Sequence, residues 1–242
     1  MAFTKSPKIA VVTGAAQRVG SAIVRTVTEL EYTCVLHYFS SEGKALKLSQ
    51  ELIDKGRRVY PFKADLTNET EIQELWNFVD QLEGEPRLLI NSASIMPRKK
   101  VGSIKGSEFD ELISLNLRAP LLCSQEAAKR MSPDSLIINI SDIASTLNWT
   151  GYPLYSISRS ALNHLTSIMA KDYAPKIRVN GISLGLVIPP IGMQQSDWDK
   201  LIDKVPLKRA VDISELNMTI KYLVENNYVT GQTLVLDGGR TL

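Results

Sequence analysis

Cysteine is nearly absent from this chain, with only Cys34 and Cys123 among 242 residues. Two thiols cannot build a disulfide framework or a metal cluster, and they point to a reducing compartment with both thiols free. Histidine is as scarce. His37 and His164 have no partners at metal-ligand spacing, so no metal site is expected. An excess of one charge is also missing, since 28 Lys and Arg against 26 Asp and Glu leave +2. That excludes the electrostatic footprint of a nucleic-acid or anionic-membrane binder. No apolar run approaches the roughly 18 residues of a bilayer span. The opening MAFTKSPK lacks an apolar h-region and does not read as a signal peptide. A soluble cytoplasmic protein is the expectation.

What is present fits one domain. A 44% hydrophobic fraction over this length fills a single core and leaves two full domains cramped. Short β-branched runs alternate with longer stretches of helical period. Lys8–Thr13 reads as a strand ending at Gly14, and Val19–Leu30 as a helix with Val19, Ile23, Val27 and Leu30 on one face. Strands follow at 33–39, 58–62, 87–91, 135–140, 177–182 and 233–236. Helices are expected at 41–55, 69–82, 108–131, 154–173 and 213–225. Such alternation implies βαβ units: an α/β fold with a doubly wound parallel sheet, Rossmann-like, in one domain. The Pro-containing loop from Leu186 to Asp199 follows the sixth strand, on the side of the sheet where ligands bind in such folds. Met193, Trp198 and Leu201 in this region either cover a flat substrate or dock a short helix on the body.

Between the first strand and first helix lies Thr13-Gly14-Ala15-Ala16-Gln17-Arg18-Val19-Gly20. A glycine turn opening a helix offers backbone N–H groups and a positive dipole end to a pyrophosphate. The competing reading is that the glycines only permit a tight turn and close packing. The second strand ends in His37-Tyr38-Phe39-Ser40-Ser41, with no acid before Glu42. NAD sites place a carboxylate there for the ribose 2′-OH. Hydroxyls with Arg18 nearby suit a 2′-phosphate instead, hence NADPH. Asp65-Leu66 after the third strand either holds an adenine or serves the turn before Asn68.

Tyr155 and Arg159 stand four residues apart on one helix face. Asp142 ends the fifth strand and Asn116 lies in the long fourth helical stretch. These pieces, with TGAAQRVG at 13–20, ADL at 64–66, NSAS at 91–94, NISD at 139–142, YSISR at 155–159 and VTGQTLVLDGG at 229–239, resemble the short-chain dehydrogenase/reductase family along essentially the whole chain. The details are most similar to its pteridine reductase and dihydromonapterin reductase branch. There an Arg occupies the place of Arg18, an Asp replaces the catalytic serine as Asp142 does, and an LHY-type segment matches LHYFSS.

The resemblance implies roles by position. Tyr155 would deliver a proton, Asn116 would position a relay water, and Asp142 would assist at the substrate. Arg159 stands where the family has the lysine that holds the nicotinamide ribose and lowers the tyrosine pKa. The coenzyme NADPH would meet Gly14, Arg18, Val19 and Gly20, then His37 to Ser41 (Tyr38, Phe39 and Ser40 between them), then Asp65 and Leu66. Asn91, Ser92, Ala93, Gly185 and Val187 would complete that surface with Tyr155 and Arg159. Substrate would meet Arg18, Ser94, Met96, Asp142 and Tyr155. Met96 takes the place of a stacking aromatic, and Leu184-Gly185 that of Pro-Gly. A homo-oligomer, specifically a tetramer, and a small-molecule substrate are implied as well. The expected activity is reduction of a dihydropterin to its tetrahydro form. A carbonyl or 3-oxoacyl reductase and a catalytically silent nucleotide-binding module stand as alternatives.

One charge near 4 Å at an effective dielectric of 20 supplies about 4 kcal/mol. On charge alone Arg159 is therefore expected to bring Tyr155 down the roughly 2–3 units that proton donation near neutrality favours. An Arg159–Asp142 ion pair that merely holds the site together is the competing reading.

Overall fold

A computed structural model describes residues 6–242, so the reading of the N-terminal segment falls largely outside it. Seven parallel strands form one sheet in the order β3-β2-β1-β4-β5-β6-β7. They are β1 (Lys8–Val12), β2 (Thr33–Tyr38), β3 (Val59–Lys63), β4 (Glu85–Asn91), β5 (Ser135–Asp142), β6 (Ile177–Leu184) and β7 (Thr233–Leu236). Strand order reverses between β1 and β4, both paired to neighbours on opposite sides. The crevice beyond their carboxyl ends is where such sheets bind ligands.

Side chains of successive strand residues point to opposite faces, and both faces are dry. Ala10, Val12, Leu36, Leu88 and Ile138 pack with Ile23 and Val27 of α1 (Arg18–Glu29), Leu48 of α2 (Glu42–Asp54) and Ile220. Ile9, Val11, Val35, Leu89 and Ile137 face the other way, onto Trp76 of α3 (Glu69–Val79) and onto Cys123 and Met169. The helix cores form because their apolar residues recur every three to four positions, and a side-chain cap sets the start of α3. Asn68 accepts the Thr70 amide at 3.0 Å to open α3.

The long helical stretch expected over 108–131 is present over 106–130, though not as one uniform α-helix. It consists of α4 (Gly106–Ile113) and α5 (Ala119–Arg130), joined by a π-helical turn at Ser114–Arg118 that contains Asn116. That turn brings the fully buried Asn116 side chain onto the segment after β4: its Nδ2 donates to the Ile95 carbonyl at 2.9 Å and its Oδ1 accepts the Ile95 amide at 3.0 Å. α6 (Pro153–Tyr173) carries Tyr155 and Arg159. Where a substrate-covering loop and a short docked helix were both open, the helix forms: α7 (Gln195–Ile202) precedes α8 (Ile213–Glu225).

Candidate active site

A cleft of about 1000 Å³ opens over the carboxyl ends of the strands, running from the glycine turn to α7. Its phosphate end is built by close backbone approach. Gly14 adopts φ +61, and a Cβ there would lie 2.7 Å from the Ala93 Cα. A Cβ on Gly20 would collide with the Gly14 carbonyl oxygen. Both glycines are thus required by packing, and the same packing exposes the α1 N-terminus to the cleft. No side chain caps that terminus, which leaves its amides facing the cleft for an anion.

His37 sits beneath the turn. Its Nδ1 accepts the Gly14 amide at 3.1 Å and its Nε2 meets the Ala64 carbonyl at 2.9 Å. Those partners define a neutral ring protonated on Nε2. Burial, only partly opposed by the Ala64 bond, pushes its pKa down to about 4. Past it, Phe39, Ser40 and Ser41 line the cleft. The Tyr38 hydroxyl donates to Glu42 at 3.4 Å. Lys44 reaches Gln17 of the glycine turn at 2.5 Å, a cation that sequence reasoning passed over. Asp65 is occupied locally, accepting the Thr67 amide at 2.9 Å and its hydroxyl at 2.7 Å, while still bordering the cleft.

At the other end the Tyr155 hydroxyl donates to Asp142 Oδ2 at 3.2 Å. Asp142 Oδ1 accepts the Ala144 amide at 2.7 Å, which caps the following turn and fixes the carboxyl. Burial raises the Asp142 pKa above the usual carboxylate range, against the pull of that amide, of Arg159 and of Tyr155. Burial also pushes the Tyr155 phenol up to about 12; the Arg159 charge pulls it down and Asp142 pushes it further up. The expectation that Arg159 leaves Tyr155 more acidic than a free phenol is overturned, because desolvation outweighs the guanidinium. Nor does Arg159 pair with Asp142. Its carbon Cζ lies 4.8 Å from the Tyr155 ring centroid, and its fork donates to Ser94 and, at 3.4 Å, to the Ile140 carbonyl.

Residues 14–241 match the family model described as enoyl-(acyl carrier protein) reductase. The chain belongs to the short-chain dehydrogenase/reductase family. It is an oxidoreductase. It is similar to the 3-oxoacyl-[acyl-carrier-protein] reductase FabG of Staphylococcus epidermidis, 27% identical over 96% of this chain and 98% of the relative. Among solved structures it resembles FolM alternative dihydrofolate reductase 1 from Brucella canis complexed with NADP, with TM-score 0.90 and 30% identity over 96% of this chain and 93% of that one. A blue fluorescent protein from a metagenomic library in complex with NADPH gives TM-score 0.90 and 28% identity, over 97% and 98% of the two chains.

In this reductase-type cleft, most residues expected at the site converge: Gly14, Arg18, Val19, Gly20, the 37–41 segment, Asp65, Leu66, Ser92, Ala93, Ser94, Met96, Asp142, Tyr155, Arg159, Gly185 and Val187 all line it. Two do not line it. Asn116 spends its amide on Ile95 and on Ser158, 3.3 Å away. Asn91 turns inward, donating to Asn139 at 2.9 Å and to Ser124 at 3.2 Å, in a buried polar chain between β4, β5 and α5. Asn91 was expected to meet the coenzyme and Asn116 to position a relay water; their side chains here bond neighbouring strands and helices. Arg18, expected on the ribose side, adopts φ 54 and donates across the cleft to Ile188 and Pro189 carbonyls at 2.9 and 3.1 Å. Trp149, Tyr152 and Arg240 also border the cleft. They escaped sequence reading because no periodicity or spacing singles out loop and terminal residues.

Proposed function

We propose that this oxidoreductase reduces a dihydropterin to its tetrahydro form, with NADPH as coenzyme. The observation that carries the reading is the Tyr155–Asp142 hydrogen bond of 3.2 Å at the closed end of the cleft. A phenol held protonated beside a carboxyl whose pKa burial raises is suited to giving a proton, not to taking one from an alcohol. NADPH supplies the hydride when bound. The chain supplies the rest: amides at the α1 N-terminus and the Gly14 turn for the diphosphate, Ser40 and Ser41 with Lys44 close by for the 2′-phosphate, and Arg159 and Ser94 beside the reacting ring. Tyr155 delivers the proton, and Asp142 replenishes it or bonds the substrate directly. Similarity to a FolM dihydrofolate reductase supports a pterin-type substrate.

Similarity to FabG supports a second reading, a 3-oxoacyl or general carbonyl reductase. NADPH oxidation measured with dihydromonapterin and dihydrobiopterin beside a panel of ketones and 3-oxoacyl thioesters separates the two. Turnover of the dihydropterins at least tenfold better than the ketones supports the first reading, and the reverse order overturns it. NADPH binding without turnover of any compound would favour the silent module. We further propose a homo-oligomer, a tetramer by family resemblance, working in the cytoplasm; sedimentation of the purified protein checks the assembly.

A further inference from the structure

Arg159 is a buried cation, 4% exposed, with an Nε that has no partner. Among the described residues no carboxylate lies within ion-pair distance of it, although Asp142 borders the same cleft. Burying a charge without a counter-ion is costly, so the guanidinium is drawn toward Asp142. Something must hold it away. The Ile140 carbonyl, at 3.4 Å, is a long contact. The Ser94 hydroxyl, which accepts from Nη2, is its side-chain partner.

Ser94 is itself fixed from both sides. The Ala93 amide donates to Thr13 Oγ1 at 3.1 Å, and Ser92 does so at 2.9 Å. On the other side Asn116 clamps both the amide and the carbonyl of Ile95, at 3.0 and 2.9 Å. With its neighbours anchored, the Ser94 backbone is held in place and its hydroxyl stays within reach of the guanidinium.

We propose that Ser94 is a positioning residue whose hydroxyl holds the Arg159 guanidinium on the face of Tyr155 and off Asp142, leaving Asp142 bonded to the tyrosine hydroxyl. The inference rests on the reductase reading of this site and not on which substrate is reduced. Without Ser94 the fork turns to Asp142, favours its ionised form and takes it from the proton path. Asp142 faces Tyr155 and Arg159 from α6, while Glu111 of α4, Arg98 of the loop after β4 and the C-terminal Arg240 border the same cleft.

The test is a double-mutant cycle with Ser94→Ala and Arg159→Lys, with Ser94→Thr as the conservative variant. Ser94→Ala lowers kcat about tenfold, the loss expected of one charge-assisted hydrogen bond, with little change in KM for NADPH. It also moves the fall of the pH–rate profile to lower pH. Ser94→Thr, which keeps a hydroxyl, loses less kcat than Ser94→Ala and shifts the profile less. In the Arg159→Lys background Ser94→Ala changes kcat less than about twofold, because an ammonium offers no fork to hold. An equal loss in both backgrounds would mean that the hydroxyl serves substrate or coenzyme directly, and overturns the proposal. A carboxyl titration of Asp142 by NMR, assigned with Asp142→Asn, reads the same effect without turnover. An unchanged titration in Ser94→Ala overturns the proposal even if every tested substrate fails, which separates its failure from that of the reductase reading.

Discussion

The Nδ1 of His37 accepts the Gly14 amide at 3.1 Å, so a ring at the end of β2 supports the glycine turn after β1. A proton on that nitrogen breaks the bond. Burial holds the His37 pKa at about 4 against 6.5 when free, so below pH 6.5 the unfolded chain binds more protons than the folded one. The contribution is complete above pH 6.5 and is lost as pH falls through that window toward 4. It amounts to about 3 kcal/mol at ~1.4 kcal/mol per unit. Urea unfolding at a series of pH values should show this loss in the parent and a flatter dependence in His37→Asn. Parallel curves would remove His37 from the effect.

Tyr155→Phe removes the hydroxyl that bonds Asp142 and leaves the ring under Arg159. General acid catalysis contributes roughly 10²–10⁴-fold, so kcat should fall by at least about 100-fold. NADPH affinity, measured by fluorescence, should stay within a few-fold of the parent.

Gly20→Ala drives a methyl into the Gly14 carbonyl oxygen, a backbone atom that cannot rotate away. The glycine turn must open to admit it. Calorimetry should show a lower Tm, and NADPH binding should weaken by about tenfold or more, since the amides at the helix start are displaced together. Unchanged affinity would place the diphosphate elsewhere.

Burial raises the Asp142 pKa and so favours the form that carries a proton. Reduction that needs this proton should speed up as pH falls below neutral and slow as the carboxyl ionises. In Asp142→Ser that dependence should vanish. Identical pH–rate profiles in parent and variant would take Asp142 out of the proton path.

Arg18 links the glycine turn to the loop after β6 through the Ile188 and Pro189 carbonyls. Arg18→Ala should free that loop, visible as faster amide exchange over 186–202 and as a KM for substrate raised about tenfold, for two charge-assisted bonds lost from an exposed site.

The strand and helix order was legible because apolar periodicity and glycine punctuation are local properties. The span 213–225 of α8 and 233–236 of β7 match expectation residue for residue. The π-helical turn at Ser114–Arg118 was not legible, since Leu112, Leu115 and Ala119 keep a helical period through it. At α7 the sequence left a substrate-covering loop and a short docked helix both open, because Gln195–Ile202 has few apolar residues, and the structure shows the helix. At the site, residue types pointed to one cleft but not to orientations. Asn91 and Asn116 turn inward because neighbouring strands and helices offer buried partners that only the tertiary fold brings near. The net acidity of Tyr155 was misjudged for the same reason: a Coulomb sum over sequence neighbours omits desolvation.

The tethers on the loop after β6 all end on main-chain oxygens, those of Ile188 and Pro189 for Arg18 and that of Leu201 for Arg240. Every residue type carries such an oxygen. Met193 and Trp198 can therefore be exchanged for other side chains without either anchor being cut. Side-chain exchange on that shore of the cleft leaves its anchors whole, whereas on the opposite shore a Cβ on Gly14 would meet the Ala93 backbone.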